Sequence, residues 1–314
     1  MTHRSLAVWS GVFPATLCPF HDDYGIDESD LSRYLAWVAG HERVAGLVVN
    51  GHTGEITSLR NDERARVVAV ASGSIPENKK LVSGVCAEGS HDAIDQAAAA
   101  RDAGADGILL MPPHHWLRFG RSSGTAIGFV ADVAAAVDIA IILHQYPAWT
   151  KASYTLPEML EIVKIPEVVS IKMGTRDMAR AHYDYTTLKA AAPDVSIITC
   201  HDEFLLASLL EGADGALVGF AGYAPGLIGE LADKALSADL AGARKIRDKV
   251  DTLARAIYQF GEPSAEAHQR MKTAAWLTGK LKSPVTRPPL RPLPDETITQ
   301  MRAALTAAGE EIVQ

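Results

Sequence analysis

The sequence predicts an α/β fold in which eight parallel strands alternate with helices and close into a (β/α)8 TIM barrel, followed by a C-terminal helical annex. Short apolar runs recur eight times before residue 221, roughly 20 to 35 residues apart. Helix-like stretches fill the gaps, so that right-handed crossovers join consecutive strands. No Gly-rich dinucleotide fingerprint follows the first run, which favours the closed barrel over an open doubly wound sheet.

The candidate strands are continuous apolar runs, as expected of strands that are covered on both faces. They span residues 11–20, 46–50, 81–85, 107–113, 140–146, 168–174, 195–200 and 215–220. Helices are expected between them, for example over 92–103 and 202–211. The joints at 103–107 and 211–215 share the pattern Gly-Ala-Asp-Gly, in which a glycine ends a helix before a buried strand begins.

More helices follow the eighth run than a bare barrel requires. The stretches 241–258 and 265–278 have helical periodicity, and five prolines keep residues 283–294 extended between helices. We therefore expect a barrel over residues 1–222 and a C-terminal helical domain over residues 223–314.

Composition excludes several classes of protein. The chain has 314 residues, 47% hydrophobic and 22% charged, and can form a large core without disulfides or metals. A net charge of −8 argues against a nucleic-acid partner, and acidic residues interrupt the apolar runs well short of a membrane span. Three widely spaced cysteines form neither a disulfide framework nor a zinc-ligand pattern, which favours a cytoplasmic protein.

Histidines are concentrated where a barrel of this type has its active site, at the C-terminal ends of the strands. Five of the eleven histidines fall there, namely His52, His114, His115, His144 and His201. The sequence therefore predicts polar chemistry at this end of the barrel.

Lys172 is the residue that most strongly indicates a catalytic function, because it lies inside the apolar run Val-Val-Ser-Ile-Lys-Met at 168–173. A lysine on a strand that is covered on both faces is costly without a partner or a function. Strand alternation directs Lys172 into the barrel, and it directs Val169, Ile171 and Met173 toward the helices. Burial lowers the pKa of such an amine and makes it a nucleophile toward a ketone. The alternative is a structural ion pair of this lysine with Glu55 or Asp202.

The turn after the second run has the composition of an anion site. Residues 51–55, Gly-His-Thr-Gly-Glu, have glycines on both sides of a short polar pair at a strand end. Backbone N–H groups exposed in such a turn can hold a carboxylate. A βα turn also needs glycine for its own geometry, so the motif alone leaves both interpretations open.

These residues resemble the dihydrodipicolinate synthase and N-acetylneuraminate lyase family of class I aldolases. Residues 51–55 resemble its G-[ST]-T-G-E carboxylate turn, and Ser-Ile-Lys at 170–172 resembles its strand-six Schiff-base segment. Leu-His-Gln-Tyr-Pro at 143–147 lies where its Y-N-x-P segment belongs, and the likeness covers roughly residues 11–300. The resemblance implies a homotetrameric barrel enzyme without a cofactor, which forms a lysine imine with pyruvate or another 2-oxo acid.

The chain departs from the family at several site positions. The family's catalytic tyrosine falls on His144, and Tyr146 lies two residues further on the same strand face, so both are candidates for the proton shuttle. A histidine with an ordinary pKa near ~6.5 would change its charge within the working pH range. His52 replaces the usual Ser or Thr of the turn, and His115 occupies the position of an aromatic residue that the family borrows from a neighbouring subunit. Trp149 stands where the lysine-biosynthetic branch has an arginine for the second substrate's carboxylate.

The expected site combines the residues named so far with one apolar residue after the eighth strand. The catalytic set is Lys172, His144 and Tyr146, and the substrate-binding set is Gly51, His52, Thr53, His115, Trp149 and Leu217.

The main functional hypothesis is a metal-independent lyase, an aldolase or hydro-lyase, in which Lys172 attacks C2 of pyruvate or another 2-oxo acid. Because Trp149 replaces the arginine, this hypothesis places the enzyme outside lysine biosynthesis, with an uncharged or aromatic aldehyde as partner. The alternative within the family is 4-hydroxy-tetrahydrodipicolinate synthase. The alternatives of other classes are a metal-dependent barrel enzyme with histidine ligands and a catalytically silent barrel.

Overall fold

Eight parallel strands form the central sheet of the protein. The structure, a computed structural model, describes residues 3–147, 150–259 and 266–314. The strands are β1 (Gly11–Val12), β2 (Gly46–Val49), β3 (Lys80–Val85), β4 (Gly107–Leu110), β5 (Ala140–Gln145), β6 (Val168–Met173), β7 (Ser196–Thr199) and β8 (Gly215–Ala216).

The sheet closes on itself. From β2 to β8 each strand pairs in parallel with the next, and β8 pairs with β1. Parallel bridges from Val12 to Val44 and from Ala15 to Val48 join the remaining two edges. The predicted (β/α)8 TIM barrel is therefore confirmed, although β1 and β8 are much shorter than the apolar runs that predicted them.

Helices lie between the strands and cover the outside of the barrel. They are α1 (Glu28–Ala39), α2 (Asn61–Ser72), α3 (Ser90–Asp102), α4 (His115–Phe119), α5 (Ser123–Ala136), α6 (Leu156–Ile162), α7 (Met178–Ala191) and α8 (Leu205–Leu210). The Asp27 side chain caps α1, and Thr155 and Glu158 form a capping box at α6. Gly104 and Gly212, in the two predicted joints, have φ of +105° and +110°, which glycine adopts without strain.

The strands separate two apolar clusters. One face of each strand packs against the helices in a large outer cluster, and the other face fills the barrel interior. The interior cluster includes Val48, Val82, Leu109, Ile142, Ile198 and Leu217.

A β-bulge on β6 sets the direction of Lys172. The register between β5 and β6 shifts at Val169, which has no partner on β5. Val169 packs in the interior cluster, so the prediction that it faces the helices is wrong. Beyond the bulge, Ile171 and Met173 face the helices as predicted, and Lys172 faces the interior between them.

The described chain continues after β8 with α9 (Pro225–Leu236), α10 (Leu240–Tyr258), α11 (Ala267–Leu277) and α12 (Asp295–Ala307). The two middle helices match the predicted ones, and residues 283–294 run without helix or strand between the last two. Among the helices described, none is long and apolar enough to cross a membrane. Division of the chain after residue 222 stays a prediction, since α9 packs on both α10 and β1.

Candidate active site

A cavity of about 270 Å³ opens at the C-terminal ends of the strands. Its walls come from the segments that follow β2, β5, β6, β7 and β8, with contributions from the C-terminal helices. Seven of the nine residues expected from the sequence line it, namely Gly51, His52, Thr53, His144, Tyr146, Lys172 and Leu217. Their convergence follows from the barrel, because all the parallel strands end at the same mouth. Their individual roles stay predictions.

Lys172 is half-buried on β6, where its Cα pairs with His144 on β5 and Ile198 on β7. Paired residues of parallel strands point to the same side of the sheet, so Lys172 points with these neighbours into the barrel. Its amine is thereby placed on the cavity wall beside a histidine. This is the environment that an imine-forming lysine requires.

Tyr146 links two histidines. Its hydroxyl oxygen lies 3.1 Å from His52 Nε2 and 3.2 Å from His114 Nε2, so it donates to one ring and accepts from the other. Burial raises the pKa of Tyr146 far above its ordinary value, which keeps the phenol protonated. The His114 side chain is 31% exposed, and its Nδ1 lies 3.9 Å from the Glu88 carboxylate. Hydrogen bonds therefore join the three rings in a row from the cavity toward the surface.

His144 is buried with its ring against Tyr146, the ring centroids being 4.7 Å apart. Burial, followed by the positive charge of Lys172, lowers the pKa of His144 well below its ordinary value. The same two causes lower the pKa of His52 to about 3. The expectation that His144 changes its charge within the working pH range is therefore wrong, because a desolvated imidazole beside a lysine stays neutral.

The turn at residues 51–55 lines the cavity with Gly51, His52 and Thr53. Its internal hydrogen bonds are donated by the amides of Gly54, Glu55 and Ile56. Within the described chain, the amides of His52 and Thr53 have no protein acceptor. The backbone is left-handed on both sides of them, with φ of +54° at Asn50 and +57° at Glu55. Two unpaired amides in a strained turn form a suitable site for a carboxylate.

A buried ion pair attaches this turn to the C-terminal helices. The Glu55 carboxylate accepts hydrogen bonds from Lys272 Nζ on α11 and from the Arg287 amide. The Glu55 and Lys272 side chains are 4% and 0% exposed. The predicted pair of Lys172 with Glu55 is wrong, because Lys272 takes that place, whereas the other predicted pair, with Asp202, stays a prediction.

Several lining residues were absent from the predicted site, among them Arg176, Cys200, Tyr258 and His268. His268 comes from α11, so no strand-end pattern pointed to it. Burial, followed by the charge of Lys172, lowers the pKa of His268 to about 4. Arg176 follows β6 directly, and the argument that selected the strand-end histidines applies equally to it.

Two predicted residues are not among those lining the cavity. His115 begins α4 with an exposed side chain, and its Nδ1 lies 2.8 Å from Glu88 Oε2. A contribution of His115 to a neighbouring subunit stays a prediction. Trp149 lies outside the described residues.

The site histidines lie near one another without forming a metal-binding group within the described residues. The His52 ring centroid is 5.9 Å from that of His114 and 5.9 Å from that of His144. Over residues 3–147, 150–259 and 266–314, no three His, Cys, Asp or Glu side chains form a group that could hold a metal ion. The metal-dependent alternative thus lacks a ligand set in this part of the chain.

Comparison with known proteins decides the family. A sequence model described as the Dihydrodipicolinate synthetase family matches residues 8–308. The chain belongs to this family. The resemblance seen in the sequence and the expected enzyme class, a class I aldolase-type lyase, are confirmed.

Individual relatives of this family member match over nearly their whole length. A 4-hydroxy-tetrahydrodipicolinate synthase of Acidiphilium cryptum (strain JF-5) is 30% identical over 302 residues, covering 96% of this chain and 99% of the relative. Dihydrodipicolinate synthase from Aquifex aeolicus superposes with a TM-score of 0.87 at 23% sequence identity. The match covers 98% of this chain and 100% of the Aquifex chain. The chloride-inhibited dihydrodipicolinate synthase from Acinetobacter baumannii, solved in complex with pyruvate, superposes with a TM-score of 0.85 at 25% sequence identity. The match covers 96% of this chain and 99% of the Acinetobacter chain.

The names of these relatives favour the alternative over the main functional hypothesis. A function outside lysine biosynthesis was inferred from Trp149 alone, and no relative named above supports it. 4-Hydroxy-tetrahydrodipicolinate synthase fits them better.

Proposed function

We propose that the protein forms a Schiff base between Lys172 and pyruvate, or a closely related 2-oxo acid, and uses it in C–C bond chemistry. The observation that carries this proposal is the half-buried Lys172 on the wall of a 270 Å³ cavity lined by neutral histidines. The pyruvate bound by the A. baumannii relative supports the choice of substrate. The borohydride experiment below tests this proposal against the alternative of a catalytically silent barrel.

In the proposed mechanism, Lys172 Nζ attacks the C2 carbonyl and the resulting hydroxyl leaves as water, giving an iminium. Loss of a C3 proton converts the iminium into an enamine, which attacks the aldehyde of the second substrate; hydrolysis then frees the lysine. The amides of His52 and Thr53 hold the substrate carboxylate. Tyr146 moves the protons, because its hydroxyl is joined to two rings whereas His144 Nδ1 has no partner among the described residues.

The second substrate that the relatives support is L-aspartate 4-semialdehyde, which would make the protein a 4-hydroxy-tetrahydrodipicolinate synthase. Consumption of pyruvate with this aldehyde, compared with an uncharged aldehyde, tests the choice. Efficient turnover with the uncharged aldehyde and none with L-aspartate 4-semialdehyde would instead support a reaction outside lysine biosynthesis.

Borohydride reduction in the presence of pyruvate tests the Schiff base itself. We expect one reduced adduct, located at Lys172 by digestion and mass spectrometry, and none in Lys172→Ala. Lys164→Ala, which removes an exposed lysine, is the matched control and should trap pyruvate normally. An adduct that persists in Lys172→Ala would contradict the proposal, as would activity that a chelator abolishes.

A homotetramer and a cytoplasmic location stay predictions. Phe119 and Leu117 on α4 are 71% and 42% exposed beside His115, which suits a surface that packs against a second copy. Light scattering on the purified protein measures the assembly state, and a monomer of full activity would remove any role of His115 across an interface.

A further inference from the structure

Glu88 and His114 extend the hydrogen bonds of Tyr146 to an exposed carboxylate. His114 immediately precedes α4, and its Nε2 lies 3.2 Å from the Tyr146 hydroxyl oxygen. Glu88 accepts hydrogen bonds from the His114 amide at 3.2 Å and from the His115 amide at 2.9 Å. The Glu88 side chain is 59% exposed, so its carboxylate is in contact with water. In the described chain, neither Glu88 nor His114 is among the residues that line the cavity.

The groups around the His114 ring favour one arrangement of its protons. Nδ1 lies 3.9 Å from the Glu88 carboxylate and 3.8 Å from Cys86 Sγ. A carboxylate beside one imidazole nitrogen favours a proton on that nitrogen. With the proton on Nδ1, Nε2 can accept a hydrogen bond from the Tyr146 hydroxyl. The hydroxyl in turn accepts from His52 Nε2, which lies 3.1 Å away.

We propose that His114 carries protons between Tyr146 and solvent and that Glu88 positions it, an inference that rests on the proposed Schiff-base function. When the iminium loses its C3 proton, the Tyr146 oxygen takes up that proton and releases its own hydroxyl proton to His114 Nε2. His114 then releases its Nδ1 proton to water beside Glu88. One proton enters the row and one leaves it, so the row ends with the charge it had at the start.

The row from Tyr146 through His114 to Glu88 belongs to one chain. Each of its contacts is made by residues of the same barrel, at the ends of β3, β4 and β5. This route to solvent therefore needs no residue of a second copy, in contrast to the role across an interface that the sequence predicts for His115.

Exchange of the pyruvate methyl protons with D2O measures this step without a second substrate. Enamine formation releases a C3 proton and its reversal adds deuterium, which removes the methyl signal from the proton NMR spectrum. His114→Gln keeps a group that can hydrogen-bond to Tyr146 but has no second ring nitrogen to release a proton. We expect this variant to slow exchange about tenfold or more. Borohydride trapping of pyruvate should stay normal, because Lys172 is unchanged.

Two further measurements separate proton transfer from a structural contact. Imidazole added to His114→Ala should restore exchange, after subtraction of the rate that imidazole gives with Lys172→Ala. In a Tyr146→Phe protein, His114→Gln should slow exchange little further, because residues that act in one row do not have additive effects.

Substitutions at two exposed carboxylate–histidine contacts provide the controls. Glu88→Gln should slow exchange less than His114→Gln does, because the amide oxygen can keep one of the two backbone hydrogen bonds. His182→Gln removes an exposed histidine whose Nδ1 lies 2.7 Å from Glu211, away from the cavity, and should exchange as the wild-type protein does.

The outcomes distinguish this proposal from the Schiff base on which it rests. Normal exchange in a His114→Gln protein that also traps pyruvate normally overturns the role of His114 alone. So does a loss in His114→Ala that imidazole does not restore, or a loss that adds in full to that of Tyr146→Phe. A wild-type protein that traps no pyruvate overturns the Schiff base and the role of His114 together.

Discussion

Tyr146 lies at the centre of the hydrogen bonds that we assign to proton transfer. Tyr146→Phe keeps the ring that packs on His144 and removes the hydroxyl between His52 and His114. We expect kcat to fall about 10²-fold or more, as for loss of a general acid–base group. His144→Phe should cost less, and steady-state turnover of the two variants measures the difference. The reverse order of losses would assign the shuttle to His144.

The pH profile should lack the inflection that an ordinary histidine gives. Burial lowers the pKa of His52 to about 3 and that of His144 well below its ordinary value, so both rings stay neutral near pH 7. We expect kcat/KM to show no acid limb centred near ~6.5 from these groups. An inflection there that disappears in His144→Phe would show that the ring titrates in the working range.

At the scale of elements, the contact between α11 and the turn after β2 should control both stability and substrate binding. Lys272→Met leaves Glu55, only 4% exposed, as a buried carboxylate without its ammonium partner. Loss of one member of such a pair costs about 3–5 kcal/mol. We expect the free energy of unfolding to fall by about that amount, and KM for pyruvate to rise because the turn loses its anchor.

A matched substitution separates burial from charge in this experiment. Lys164→Met removes an ion pair with Glu161 whose side chains are 67% and 53% exposed. Since a more exposed pair contributes at most about 1 kcal/mol, its denaturant midpoint should change little. Equal losses in the two lysine variants would contradict the special role of the buried pair. The double variant Glu55→Gln with Lys272→Met should recover part of the stability.

The strand-end positions could be predicted from the sequence because one repeated rule of the barrel brings them together. The predicted alternation of side chains along β6 is wrong at Val169, where the strand has a bulge. A bulge depends on how β6 pairs with its neighbouring strand, and the sequence of β6 alone does not determine that register. The Glu55–Lys272 pair could not be predicted either, because its partners are 217 residues apart. Sequence thus locates the candidate lysine, Lys172, but not the contacts that hold its surroundings.

At the scale of the whole molecule, the C-terminal helices contribute residues to the cavity although they follow the barrel in the chain. Tyr258 and His268 reach the cavity from α10 and α11, although the sequence suggested a separate helical domain. The period of strands and helices predicts the barrel, whereas docking of later helices over its mouth depends on tertiary packing. A substitution in these helices can therefore change catalysis without touching a strand.

Buried histidines make the stability of the whole molecule depend on pH. Burial lowers the pKa of His52 to about 3 and those of His201 and His268 to about 4, and lowers that of His144 as well. In the unfolded chain each ring titrates near ~6.5. Between about pH 6.5 and pH 4 the unfolded chain therefore binds protons that the folded protein does not, and the free energy of unfolding falls as the pH falls.

Each such histidine contributes a slope of up to about 1.4 kcal/mol per pH unit in that window. Glu63 acts at lower pH, because its hydrogen bond to Arg287 lowers its pKa to about 2, so its stabilisation is lost only below the ordinary carboxyl range. His201→Gln should flatten the slope by about one proton relative to the wild-type protein. Denaturant unfolding at a series of pH values measures both slopes. Equal slopes in the wild-type and variant proteins would mean that the protons bind elsewhere than at His201.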